Sequence, residues 1–272
     1  MIASTATANC QLVFDISEPA RLAVQIAAAR RPGLDISERF EALSNGVPVT
    51  VQELPGSHHG RQHLVHAGPG ALVITYEAAV NRTTPATVEQ VTQSQRIAAL
   101  RPSRYCPADR MVGFARNHFA DSPDEPDRVQ AICTYVWEHI RYELDASGPG
   151  TDAVDTLLAG RGVCRDFAHL TAALCRAVDV PARIAAVYAP GLSPMDFHVV
   201  VETAIEGNWY AWDATRSAPR PSMIRIATGR DAADVAFSTV LRGRAELTGI
   251  QITVAGADDL PLDAHEELAV LG

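Results

Sequence analysis

The stretch Gly160-Arg161-Gly162-Val163-Cys164-Arg165-Asp166-Phe167 constrains this chain more than any other. It reads as a glycine-hinged loop that delivers a cysteine to the first turn of a helix. From Phe167 onward, Phe167, Leu170, Thr171, Leu174, Cys175 and Val178 recur at the spacing of a helix with one buried face. Cys164 stands three residues before Phe167 and so points toward that same side. A helix start carries about half a positive charge from its unpaired N–H groups. Such a field favours thiolate, the nucleophilic form of cysteine. The flanking glycines let the backbone turn sharply and leave room for a substrate beside the sulfur. Taken alone, the residue is either a small apolar side chain at a helix start or a nucleophile.

A cysteine nucleophile needs a base to take its proton and a third group to hold that base. Two strand-like runs, Phe197–Ile205 and Trp209–Asp213, flank the turn signal Glu206-Gly207-Asn208. With the turn centred between Glu206 and Gly207, His198 stands opposite Thr215. Asp213 then falls two residues short, diagonal to His198 and on the same face. Diagonal neighbours lie about 7–8 Å apart, within reach of His and Asp side chains. The chain order Cys164, His198, Asp213 therefore predicts a triad of nucleophile, base and orienting acid.

The rest of the chain supplies the setting. Length suggests two domains across the 272 residues. Residues 1–100 read as an all-β domain, with short apolar runs broken at Arg31-Pro32-Gly33, Asn45-Gly46, Pro55-Gly56 and Gly68-Pro69-Gly70. Pro85 to Pro102 reads as a connector. Residues 101–255 read as the catalytic core. Within it, Asp121 to Pro126 starts a helix that places Val129, Ile132, Cys133, Val136, Trp137 and Ile140 on one apolar face. Residues 256–272 read as an acidic tail, loosely packed or a surface helix. His58, His59, His63 and His66 cluster at a loop-to-strand transition, where a solvated edge is the simplest reading and a metal site the alternative.

A net charge of −9 argues against nucleic acid or an anionic membrane as partner. Every basic side chain other than histidine is arginine, so the protein offers its own acyl chemistry no lysine amine. The five cysteines form no C-x-x-C pair, and neither a secretory leader nor a membrane-length apolar run is visible. These features predict a protein of the reducing cytoplasm that keeps free thiols. Nothing in the sequence calls for a cofactor or a metal, and its oligomeric state is not legible.

Gly162-Val163-Cys164-Arg165-Asp166-Phe167-Ala168-His169-Leu170 resembles the nucleophile motif of the transglutaminase-like superfamily, in its bacterial cysteine-protease-like branch. The resemblance continues through Pro181-Ala182-Arg183, Asp196-Phe197-His198, Trp209-Tyr210-Ala211-Trp212-Asp213 and the run from Gly229 to Val235. It implies an α+β fold: a papain-like core whose cysteine helix packs on an antiparallel sheet carrying His and Asp, beside an N-terminal β-domain. It also implies Cys164 as nucleophile, His198 as base and Asp213 as orienting acid. Relatives often carry Asp-Pro where this chain has Asp213-Ala214. The Cys164 N–H is one expected oxyanion donor; Tyr142 is preferred over Trp137 as the second. Tyr188, Phe197 and Trp212 either line the substrate cleft or belong to the core.

The implied activity is hydrolysis of a peptide or isopeptide amide through a thioester. Transfer of the acyl group to an amine is the alternative, as in transglutaminases proper or arylamine N-acetyltransferases. The latter's Arg-Gly-Gly-x-Cys pattern differs from Arg161-Gly162-Val163-Cys164 in its second glycine. A non-catalytic binding module is the third reading.

Overall fold

The computed structural model describes residues 5–256 and 260–271. Alternation builds the first sheet. In β1 (Thr5–Val24), Ala8, Cys10, Leu12, Phe14 and Ile16 are buried while Thr7, Asn9, Gln11 and Asp15 face outward. The strands that follow are β2 (Leu34–Ser44), β3 (Val47–Pro48), β4 (Val51–Pro55), β5 (Arg61–Ala67) and β6 (Gly70–Arg82), in spatial order β3-β2-β6-β1-β5-β4. The β2–β3 turn uses Asn45 and Gly46, both with positive φ (50° and 78°), as a two-residue hairpin turn requires.

Helices and a second sheet come next: α1 (Gln93–Leu100), α2 (Val112–Phe119), α3 (Glu125–His139), β7 (Arg141–Tyr142), α4 (Ala153–Ala159), β8 (Arg161–Gly162), α5 (Cys164–Ala177), β9 (Ala182–Tyr188), β10 (His198–Ile205), β11 (Asn208–Trp212), β12 (Ile224–Gly229) and α6 (Ala232–Val235). The second sheet is antiparallel in the order β11-β10-β9-β12. The expected α+β class, with a cysteine helix against an antiparallel sheet, is what the chain forms. The expectation of a single buried face on α5 is too modest, because every residue from Asp166 to Ala177 is buried. The helix lies between β9 and β10 on one side and α2, α3 and α4 on the other.

Three segments depart from the sequence reading. Residues 238–256, grouped there with the core, form β13 (Ser238–Gly256). This strand pairs along β1 from Ala6 opposite Gly256 to Val24 opposite Ser238, so the chain returns to the first sheet. Its partner is remote in sequence, and only Ile252 and Val254 along it are buried, so alternation gives little sign of the strand. The connector contains α1, opened by a reciprocal capping box between Thr92 and Gln95. The tail forms no helix among its described residues. Asp263 bonds the buried Arg220 side chain at 2.8 Å, Ala269 bridges to Ala211, and Leu271 is fully buried.

The histidine cluster is only partly a solvated edge. His59 and His66 are exposed, but His63 is buried and stacks on Phe40 with ring centroids 4.0 Å apart. His58 Nδ1 lies 3.0 Å from Arg183 Nη1. That arginine belongs to a buried ionic network in which Arg183 of β9 and Arg225 of β12 both meet Glu202 of β10 and Glu89. Among the described residues no group of three or more His, Cys, Asp or Glu is arranged to hold a metal ion, and no helix is long and apolar enough to cross a membrane.

Candidate active site

The loop before α5 is fastened by close approach. Gly160 ends α4 in the left-handed region (φ 64°), where glycine carries no Cβ penalty. At Gly162 a Cβ would sit 2.7 Å from Asp166 Cβ and 3.0 Å from its Oδ2. That space is used: Val163 N–H donates to Asp166 Oδ2 at 2.9 Å, and the Arg165 guanidinium holds Oδ1. Asp166 is fully buried and closes the first turn of the helix that starts at Cys164.

Cys164 is half-buried, with Sγ 3.9 Å from the Phe197 carbonyl oxygen. The other four cysteines are buried. Burial pushes the thiols of Cys10, Cys106 and Cys133 up to about 12, and that of Cys175 well above its ordinary value.

The hairpin that delivers the other two groups has the predicted register. Ile205 pairs with Asn208 and Val201 with Trp212, and Glu206 and Gly207 form the turn with φ of 49° and 79°. His198, the first residue of β10, donates from Nε2 to Asp213 Oδ2 at 2.9 Å. Asp213 Oδ1 accepts from Thr215 N–H at 2.9 Å and from Thr215 Oγ1 at 2.7 Å. With Nε2 committed to Asp213, Nδ1 is the ring nitrogen left for Cys164, whose side chain helps hold the proton on the ring.

Burial opposes a charge on His198, but the Asp213 carboxylate and the Cys164 side chain outweigh it and push its pKa up to about 10. Burial likewise opposes the charge on Asp213, and His198 and Thr215 reverse that, holding the carboxyl below its usual range.

Tyr142 joins this group because β7 pairs in parallel with β8, setting Tyr142 beside Gly162. Burial, with the nearby Cys164 side chain, raises the Tyr142 pKa to about 12, so its hydroxyl keeps its proton. Trp137 departs from the predicted core face. It is 46% exposed and lies beneath the Arg216 guanidinium at 4.2 Å. Tyr188 and Trp212 do not line a cleft. Both are buried, Tyr188 donating to the Ile26 carbonyl at 2.6 Å and Trp212 Nε1 to Thr203 Oγ1 at 2.7 Å. Of the three aromatics only Phe197 borders the sulfur, and its ring stacks on Phe237 at 5.2 Å.

Sequence reasoning did not single out Thr215, Asp166 or Phe237. Thr215 had a local signal, since an Asp two residues ahead of a Thr N–H is a recurrent turn. Asp166 had one in its place three residues into the helix motif. Phe237 had none, because it lies between α6 and β13, forty residues beyond Phe197.

Residues 113–214, which contain Cys164, His198 and Asp213, match the model of the transglutaminase-like superfamily. Among solved structures, a protein of Cytophaga hutchinsonii described as a "putative cysteine protease" superposes with a TM-score of 0.88 at 29% identity, covering 98% of this chain and 96% of that one. An uncharacterised protein of Mycobacterium leprae is 28% identical over 172 residues, which are 59% of this chain and 61% of that protein's length. Residues 113–214 thus carry a core of the transglutaminase-like superfamily, in a chain that shares its fold with the Cytophaga protein.

Proposed function

We propose that this protein is a cysteine-nucleophile hydrolase of amide bonds in peptides or proteins, working through a thioester. The observation that carries the reading is the convergence of the Cys164 thiol, the His198 ring and the Asp213 carboxylate at the start of a buried helix. In this mechanism the Cys164 proton already rests on His198 Nδ1, as a thiolate–imidazolium pair, and Sγ attacks the amide carbonyl carbon. The oxyanion that forms is met by the Cys164 N–H and the Tyr142 hydroxyl, which lie together. His198 then donates its proton to the leaving amine as the C–N bond breaks, leaving the acyl group on sulfur. Water, deprotonated by His198, attacks the thioester and releases the acid. Asp213 holds the ring so that Nδ1 faces the sulfur and stabilises the imidazolium.

Release of the same thioester by an amine is the competing outcome, and a partition experiment separates the two. With a glutamine-containing peptide and a primary amine in excess, free acid is expected as the main product. An amine adduct dominating at millimolar amine, with negligible acid, would replace the hydrolase reading by a transferase one. Iodoacetamide labelling followed by mass spectrometry tests the nucleophile itself. Cys164 is expected to react first, and preferential labelling of Cys10 or Cys106 in the folded protein counts against the assignment.

A further inference from the structure

The first sheet carries a second arrangement that the triad does not use. Arg21 in β1 stands directly opposite His66 in β5 on one side and Arg242 in β13 on the other. Three basic side chains thus lie in one row across adjacent strands, and all three are exposed. With strands about 4.8 Å apart, the row spans about 10 Å. Like charges placed opposite each other, as the Arg21 and Arg242 guanidiniums are, destabilise a sheet, and among the described residues none of the three has an ion pair or a side-chain hydrogen bond. Other arginines of the protein, exposed Arg30, Arg39 and Arg230 among them, meet carboxylates, and Arg244 faces Glu18 across the ladder.

The backbone holds this row in place. The β1–β13 register shifts on both sides of Arg21, and bulges of this kind re-aim side chains. Gly243, next to Arg242, has φ 78°, and a Cβ there would lie 2.1 Å from the Pro19 carbonyl oxygen. A groove of about 700 Å³ runs over the row, bordered by Pro19, Gly68 and Leu241 as well as by the three basic residues, and no carboxylate lines it.

We propose that this groove is a binding site for a small molecule bearing an oxyanion, a carboxylate or a phosphate. Two guanidinium forks, on Arg21 and Arg242, suit the paired oxygens of either group, which would also relieve their mutual repulsion. His66 extends the same row toward a second oxygen or a second anionic group. The site stands independently of the reaction at Cys164.

The test follows the His66 ring resonances by NMR while phosphate, or separately succinate, is added at constant ionic strength against a chloride control. A saturable displacement with at least one oxyanion at millimolar or tighter affinity is expected. Saturation by phosphate alone assigns the phosphoryl class, and by succinate alone the carboxylate class. Arg21→Gln and Arg242→Gln should each weaken binding about tenfold, the effect of losing roughly one charged contact, and the double variant should lose saturation. Both side chains are exposed, so the fold is retained. As a second readout, the saturating oxyanion should raise the Tm of the wild type but not of the double variant. Shifts that stay linear in concentration, or that are equal in wild type and double variant, overturn the proposal.

Discussion

His198 and Asp213 meet through Nε2 and Oδ2 at 2.9 Å, with each side chain only 1% exposed. The remaining carboxylate oxygen is occupied by Thr215, through both its N–H and its hydroxyl. The ring is therefore fixed through Nε2, which leaves Nδ1 as its other titrating nitrogen. A charge pair this buried is stabilising only when its hydrogen bonds are complete, and here the second oxygen is satisfied from its own turn.

Replacing Asp213 with Asn removes the orienting charge while keeping the shape. Thr215 offers only donors to Oδ1, so the Asn oxygen stays there and its NH₂ faces Nε2. Nε2 must then accept, the proton moves to Nδ1, and the base is blocked. Turnover of an amide substrate should fall by about 10²–10⁴-fold, as when an orienting Asp in a triad is amidated. Circular dichroism should show an unchanged fold. Turnover within twofold of wild type would remove Asp213 from the mechanism.

The same pair gives a pH signature in stability. His198 is raised from 6.5 to about 10 on folding, so its contribution is complete below pH about 6.5 and is lost as pH rises through about 10. Asp213 is lowered from 3.8, so its contribution is present above that value and is lost as pH falls through the folded pKa. The Tm difference between wild type and His198→Gln should be greatest between about pH 4 and 6.5 and shrink steadily toward pH 10. A difference that grows with pH across that range contradicts the raised histidine.

The features legible in the sequence were those set by local pattern. The glycine loop, the start of α5 at Cys164 and the hairpin register that aligns His198 with Asp213 all follow from a few contiguous residues. What escaped depends on distant pairing. β13 lies against β1 more than 200 residues earlier in the chain, and along its exposed, bulged course only the end near Ile252 and Val254 alternates. The tail owes its place to Arg220, whose guanidinium takes Asp263. Whether Tyr188 and Trp212 face the cleft or the core stays open in sequence, because their polar atoms find Ile26 and Thr203 only in the folded chain. Trp137 falls on the apolar stripe of α3, yet Arg216, three residues past Asp213, covers it instead of the core.

The first turn of α5 should be sensitive to Asp166. Its carboxylate accepts the Val163 N–H and holds Arg165, so Asp166→Ala removes a capping interaction of about 1 kcal/mol and leaves a buried donor unpaired. The Tm should fall and Cys164 alkylation should slow, since the loop that presents the sulfur loosens. Gly162→Ala should act on the same contact by forcing its new Cβ against Asp166. If both variants keep wild-type Tm and alkylation rate, the cap does not position the nucleophile.

Tyr142 distinguishes stabilisation of the oxyanion from activation of the thiol. Its hydroxyl lies near Cys164 and keeps its proton up to about 12, so at neutral pH it is a donor. Alkylation by iodoacetamide displaces iodide and develops no oxyanion on a carbonyl. Amide attack does develop one, at the point where the Tyr142 hydroxyl and the Cys164 N–H converge. Tyr142→Phe removes one donor while leaving the ring that packs 5.9 Å from Phe167. Amide turnover should therefore fall by about 10²-fold, the usual cost of one oxyanion donor, while the rate of Cys164 alkylation changes by less than about threefold. The two rates measured side by side decide the point. An equal loss in both would make Tyr142 a partner of the thiol, and no loss in either would place the second donor elsewhere.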